Sequence, residues 1–167
     1  VGESSWILKS RSRLKLGVGS KDDSNFESKL MVDTKTLAPT YFQAQQTAGG
    51  GKFEVNCLYS RTMVAQTNTA GKQNAAQQHF HSYEGEVPKL LFNNLWGHLD
   101  TFPEHYWLLV RSAVKGGTLK AYDPILRGGG KLVVYAPKAE KWKLDKVQYD
   151  TLLYPISDME GTMLARV

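Results

Sequence analysis

A strict alternation of apolar and polar residues through the first half of the chain constrains the fold most. From Trp6 to Val18 most apolar side chains occupy even positions, while the odd positions include lysines and arginines. Successive side chains of a β-strand point to opposite faces, so this period predicts a long strand with one wet face. Turn composition follows at residues 19–25, and alternation resumes from Phe26 to Thr34. The two segments therefore predict an antiparallel hairpin.

Further alternating segments follow, with short turns between them. They lie at residues 40–46, 53–59, 61–67 and 76–83. Strands that succeed one another through short turns pair as antiparallel neighbours, so these segments complete a predicted antiparallel meander of six strands. The only cysteine, Cys57, lies on the apolar row of its segment. We interpret it as a small buried hydrophobe rather than a catalytic thiol.

The period then becomes helical. Apolar side chains spaced by three and four residues predict two helical pieces, at residues 92–99 and 102–113, with Pro103 in the first turn of the second piece and Gly116 at its end. The second piece is apolar over most of its circumference, so we expect protein around most of it. The predicted fold class is mainly β (α+β): a strongly curved antiparallel sheet, or half-barrel, wrapped around a central, broken helix.

Strand patterns return in the last third of the chain, at residues 118–122, 131–136 and 141–154, with a closing hairpin into 162–167. We predict one domain over residues 1–167. The chain ends inside a strand pattern, so we expect the natural polypeptide to continue. Its first residues lack the charged and apolar regions of a signal peptide, and no apolar run approaches the length of a membrane-spanning helix.

Two histidines on one strand face raise the hypothesis of a metal site. His79, His81 and Glu86 form an H-x-H-x4-E pattern, which resembles the first metal-binding motif of cupin barrels. The alternative function is therefore a cupin-like, metal-dependent enzyme of small molecules. Two histidines on a strand are more often fillers of a sheet face, so the main interpretation includes no metal and no cofactor. The chain also lacks the serine-hydrolase elbow, the H-E-x-x-H motif and the P-loop.

The charge pattern allows two kinds of anionic partner. The formal net charge is +5, and lysines and arginines concentrate in two clusters. These clusters are Lys9, Arg11, Arg13 and Lys15, and Lys138, Lys141, Lys143 and Lys146. They lack the interleaved exposed aromatic residues on which bases stack, so we do not expect nucleic acid as a partner. Weak contact with an anionic membrane surface is equally compatible with the charges.

The apolar side chains of the helical region are the candidate ligand residues. Such stripes ordinarily form core, but a sheet that does not close fully on its helix leaves an apolar cleft between them. A lipid or another hydrophobic small molecule would fit such a cleft. The residues that would line it are Phe92, Leu95, Trp96, Tyr106, Trp107 and Leu109.

A family resemblance adds a setting to this binding hypothesis. The passage from Glu86 to Leu95, the helix Tyr106-Trp107-Leu108-Leu109-Val110-Arg111 and the closing hairpin at residues 158–161 resemble bacterial exported domains of unknown function. Their fold is similar to the half β-barrel of lipoprotein carriers, and some members precede a serine-hydrolase domain. The resemblance implies a periplasmic or secreted location and a non-catalytic role. It also implies an enzyme domain, C-terminal or separate, as a partner.

Overall fold

The computed structural model describes residues 4–14, 24–48, 51–70, 75–90, 104–124, 126–158 and 163–166. Its first half is a six-stranded antiparallel sheet in which every strand pairs with its neighbour in the chain. The predicted meander is therefore confirmed. Its strands are β1 (Ser5–Leu14), β2 (Ser24–Asp33), β3 (Pro39–Ala48), β4 (Gly51–Tyr59), β5 (Met63–Ala70) and β6 (Ala75–Ser82).

Register places the apolar rows of these strands on one face of the sheet. Leu30 of β2 lies opposite Phe42 of β3, and Phe42 lies opposite Cys57 of β4. All three side chains are buried. Directly opposed residues share a face, so the alternation in each strand adds to one continuous apolar surface. The prediction that Cys57 is buried is confirmed.

Part of the opposite, outer face of this sheet is polar and internally hydrogen-bonded. The Glu54 carboxylate accepts hydrogen bonds from the Gln43 and Asn56 amides at 3.0 and 2.9 Å, and lies 2.7 Å from the Lys52 ammonium. The Tyr41 hydroxyl donates to the Asn56 carbonyl oxygen at 3.0 Å. Hydrogen bonding, first from Lys52 and then from Asn56 and Gln43, lowers the pKa of Glu54 to about 2.

The second half forms a smaller sheet, a helix and a separate hairpin. The elements are β7 (Lys89–Leu90), α1 (Glu104–Ser112), β8 (Gly117–Asp123), β9 (Gly128–Val134), β10 (Lys138–Leu144), β11 (Val147–Leu153), β12 (Pro155–Asp158) and β13 (Met163–Arg166). The small sheet has the order β13-β12-β9-β8-β7, with β7 and β8 parallel and its other pairs antiparallel. Strands β10 and β11 pair with each other.

Helix α1 contributes to two hydrophobic cores. Leu108 joins the core formed on the inner face of the large sheet, together with Tyr122 of β8. Leu109 and Ala113, one residue and five residues further along, belong to a second core with the small sheet. The helix is thus held between apolar side chains of both sheets. Among the described residues no helix is long and apolar enough to cross a membrane.

Beyond α1 the chain turns toward β8 at Gly116, the glycine that the sequence predicts at the end of the second helical piece. Gly116 has φ +85°, a left-handed conformation that glycine adopts without strain. A β-carbon at this position would lie 2.8 Å from the Ala136 backbone nitrogen, so the close approach of the chain also requires glycine. The first predicted helical piece, at residues 92–99, lies outside the described residues.

One predicted strand is wrong. Residues 141–154 were expected to form a single strand, whereas the structure has the hairpin of β10 and β11 with a turn at Asp145 and Lys146. Asp145 has φ +53°, which reverses the chain. The mainly β class and the antiparallel pairing of the sheets are confirmed, and so is the closing hairpin of β12 and β13.

Candidate functional site

The predicted ligand residues fall into three groups in the structure. Phe92, Leu95 and Trp96 lie outside the described residues, and Tyr106 belongs to α1 without a described side chain. Leu109 is fully buried between the helix and the small sheet, where it serves as core. Trp107 is the one whose described side chain remains open to solvent, with 41% of its surface exposed.

Trp107 belongs to a cluster at the rim of the contact between sheet and helix. Its ring centroid lies 6.0 Å from that of Trp6, which is 39% exposed. Trp6 projects from the inner face of β1, because it lies opposite the buried Val32. Arg111 is one helical turn beyond Trp107, and its guanidinium carbon lies 4.7 Å from the Trp107 ring and 5.9 Å from the Trp6 ring. We call Trp6, Trp107 and Arg111 the rim cluster.

Deeper between sheet and helix the described side chains close on one another. A cavity between Leu30 and Val32 of the sheet and Leu108 and Leu109 of the helix has a volume of about 10 Å³. That is the space of roughly one water molecule. Within the described part of the contact, a larger molecule would therefore lie at the rim cluster rather than beneath the helix.

The two histidines lie on the inner face of the large sheet. His79 lies opposite Gln66, and His81 lies opposite Val64. Gln66 and Val64 are buried residues of β5. The His81 ring packs on the Tyr122 ring at 5.2 Å, and the His79 Nε2 atom is buried without a hydrogen-bond partner in the described structure. Within the described ranges, no three histidine, cysteine, aspartate or glutamate side chains come together as metal ligands.

Glu86, the third residue of the H-x-H-x4-E pattern, has different surroundings. It is exposed in the segment before β7. Burial lowers the pKa of Lys89, and the negative charge of Glu86 partly opposes this shift. The Lys89 ammonium in turn donates to the backbone carbonyls of Thr36 and Leu37 at 3.2 and 3.3 Å. This placement favours a role for Glu86 in local electrostatics.

A buried polar bridge joins the two sheets, and the sequence patterns did not predict it. The Gln66 side-chain amide donates to the Asn68 side chain at 2.6 Å and to the Pro124 carbonyl at 2.7 Å. Its carbonyl oxygen accepts from the Tyr122 hydroxyl at 2.6 Å. The available signal was the position of Gln66 and Asn68 on the apolar row of β5, where a buried polar side chain needs partners.

Cys57 lies beside this bridge, in surroundings that do not activate it as a nucleophile. Its thiol contacts the Gln66 oxygen at 3.8 Å, and burial raises its pKa to about 12. A reactive cysteine requires the thiolate, which this environment disfavours. Burial also raises the pKa of the neighbouring Tyr59. The core around Gln66 therefore fits a structural use better than a catalytic one.

The first basic cluster lies on the outer face of β1. Arg11 forms an ion pair with Glu27 of β2 at 2.8 Å, on an exposed surface where such pairs contribute little. Lys15 lies outside the described residues.

The second cluster belongs to the hairpin of β10 and β11. Lys141 and Lys143 flank Trp142, and Tyr149 lies opposite Trp142. The structure exposes both aromatic side chains, which the sequence interpretation did not anticipate.

Comparison with known proteins gives no relative from which to transfer a role. No protein-family model matches the chain, and no curated protein or solved structure matches it significantly.

Proposed function

We propose that this chain is a non-catalytic binding module of the bacterial envelope or the secreted space, and that it holds an amphipathic anionic ligand, such as a long-chain fatty acid, at the rim cluster. The exposure of Trp6 and Trp107 beside Arg111 is the observation that carries the proposal. We also propose that the large sheet curls around the helix as a half-barrel. In this shape the inner face of the sheet would remain open along β1. The family resemblance supports this location and this shape.

The chemistry of the rim cluster suits such a ligand. Two half-exposed indoles offer a flat apolar surface, and each CH₂ group of an acyl chain gains about 0.8 kcal/mol when it leaves water. The Arg111 guanidinium lies within 6 Å of both rings, at 4.7 and 5.9 Å, and can donate two hydrogen bonds to one carboxylate. An apolar chain with an anionic head therefore matches both parts of the cluster.

Displacement of a fluorescent fatty acid, with a matched pair of competitors, tests this proposal. We expect a long-chain fatty acid to compete better than the alcohol of equal length. Arg111→Gln should weaken the fatty acid by about tenfold or more, since a hydrogen bond to a charged group contributes about 1.5–3 kcal/mol, and should leave the alcohol unchanged. Trp107→Ala should weaken both. Lys115→Gln, at an exposed lysine just past the helix, is the control.

If Lys115→Gln weakened competition by both the fatty acid and the alcohol, this result would contradict the assignment to the rim cluster. So would equal displacement by fatty acid and alcohol in the unmodified protein. Absence of saturable binding at high micromolar probe would refute the hydrophobic-ligand function altogether.

A second candidate role, as accessory module to an enzyme domain, is favoured by the outer face of the large sheet. One apolar side chain from each strand lies in a single register row across this face. Rows of this kind mark contact surfaces when polar residues flank them. The row consists of Ile7, Met31, Tyr41, Leu58, Ala65 and Phe80.

A single introduced thiol tests this role. Phe80 is 65% exposed and the native Cys57 is buried, so Phe80→Cys provides one accessible thiol. We expect the thiol to react rapidly in the isolated module. It should react at least tenfold more slowly in the presence of an enzyme domain encoded beside the module. Equal reaction rates would exclude the outer face as the contact.

A further inference from the structure

The hairpin of β10 and β11 stands apart from both sheets. Its two strands form a sheet of their own, and apart from Thr151 and Leu153 their residues are exposed. An isolated two-stranded hairpin is marginally stable in water without a covering surface. The hairpin therefore presents an interaction surface rather than a piece of core.

Large apolar side chains gather on one face of the hairpin near its turn. Trp142 lies opposite Tyr149 and Leu144 lies opposite Val147, so register places all four on the same face. Their exposed fractions range from 47% for Tyr149 to 63% for Trp142. An aromatic pair is thus followed, toward the turn, by an aliphatic pair.

Basic residues predominate at this apolar tip. Residues 141–149 contain Lys141, Lys143 and Lys146 and a single acid, Asp145, so three positive charges and one negative charge give a formal charge of +2. Lys141 and Lys143 lie on the face of the ribbon opposite Trp142 and Leu144, because neighbouring residues of a strand point to opposite faces, and Lys146 lies at the turn. The ribbon is a single layer, so charges on its far face still act over a distance comparable to the Debye length of about 8–10 Å. Nearer the body of the protein, Asp150 lies opposite Lys141, and Glu140 lies on the apolar face.

We propose that this hairpin tip binds the surface of an anionic phospholipid bilayer. Tryptophan and tyrosine favour the level of the lipid headgroups, the aliphatic pair enters the acyl boundary, and the negative potential of the lipid surface attracts the lysines. Leu144 and Val147 favour a bilayer over nucleic acid, because bases stack on aromatic rings such as Trp142 and Tyr149 but gain nothing comparable from an aliphatic pair. Asp145 at the turn limits the depth of entry, so the contact is shallow. This contact is independent of the rim cluster.

Co-sedimentation with lipid vesicles tests the proposal. We expect binding to vesicles of phosphatidylcholine mixed with phosphatidylglycerol, weak binding to phosphatidylcholine alone, and weakening by salt. Lys143→Gln with Lys146→Gln should reduce binding to the mixed vesicles by about thirtyfold in all, from roughly fivefold for each lysine near the surface. Trp142→Ala with Tyr149→Ala should reduce it by about tenfold or more. These positions are exposed, so the variants should keep the circular dichroism of the unmodified protein.

Matched substitutions elsewhere provide the controls. Leu126→Ala removes a large apolar side chain that is 71% exposed outside the hairpin, and Lys35→Gln with Lys115→Gln removes two exposed lysines outside the hairpin. Neither should change binding. Equal loss in the control variants, or equal binding to neutral and mixed vesicles, would overturn the proposal. Salt-sensitive binding of a nucleic-acid duplex without vesicle binding would also overturn it.

Discussion

A single methyl group added to β9 should destabilise the protein, because Gly129 touches a histidine of the other sheet. A β-carbon at Gly129 would lie 2.5 Å from Nε2 and 2.8 Å from Cε1 of His81. The His81 ring also packs against Tyr122, which is fully buried, so it has little freedom to withdraw. Overpacking of this kind typically costs about 1–3 kcal/mol.

The net effect is smaller, because alanine is better than glycine in a strand. Removing glycine recovers about 0.5–1 kcal/mol, which leaves a net loss of about 0–2.5 kcal/mol for Gly129→Ala, with about 1 kcal/mol at the centre of the range. For a chain of this length a loss of about 1 kcal/mol lowers the melting temperature by about 2–4 °C. Gly130→Ala is the matched control, because nothing lies within 4 Å of its β-carbon, and it should be neutral or slightly stabilising.

Thermal and denaturant unfolding of the single and double variants measures this effect. With His81→Ala in the background the clash disappears, so Gly129→Ala should then become neutral or stabilising. The coupling between the two substitutions should equal the overpacking term, about 1–3 kcal/mol. Equal destabilisation by Gly129→Ala and Gly130→Ala, or no coupling to His81, would refute the contact between β6 and β9.

Three further substitutions or labels address other parts of the fold. The folded pKa of Glu54, about 2, lies below its ordinary value of 4.5, so its stabilisation is present above pH about 4.5 and disappears as pH falls toward 2. Glu54→Gln should lower the free energy of unfolding by about 1 kcal/mol at pH 7, because solvent partly screens this half-exposed network. The loss should be smaller at pH 3, and urea unfolding at the two pH values measures both. Cys57, with a pKa of about 12, should resist a thiol reagent at pH 8 until guanidinium unfolds the chain, and rapid native labelling would contradict its burial. Phe42→Ala should cost about 3–5 kcal/mol in the same unfolding assay, and a loss below 1 kcal/mol would contradict its place in the core.

The meander was predictable because β2 to β5 each bury one face, and this one-sided burial produces a period of two in the sequence. The same rule explains the error at residues 141–154. Apolar residues shift there from even positions, Trp142 and Leu144, to odd positions, Val147 and Tyr149. A two-residue hairpin turn produces that shift in parity, and the absence of a glycine or Asn-Gly signal at Asp145 hid it.

The rim cluster was only half predictable. Trp107 stood out as a large apolar residue of the helix, but its partner Trp6 comes from the opposite end of the chain. No local period connects a strand at the start with a helix beyond residue 100. The partners of the polar bridge at Gln66 were unpredictable for the same reason, because Tyr122 and Pro124 come from the second half.

The order of strands in the large sheet has a consequence for synthesis of the chain. Every pairing in this sheet joins neighbours in sequence, whereas the small sheet pairs β9 with β12 across a whole hairpin and β7 with β8 across the helix. Short loops close at lower entropic cost, so the large sheet can form while the ribosome still holds the second half. Until α1 and β8 emerge, its apolar face is uncovered. A chain that stalls after β6 should therefore aggregate and be a client for chaperones.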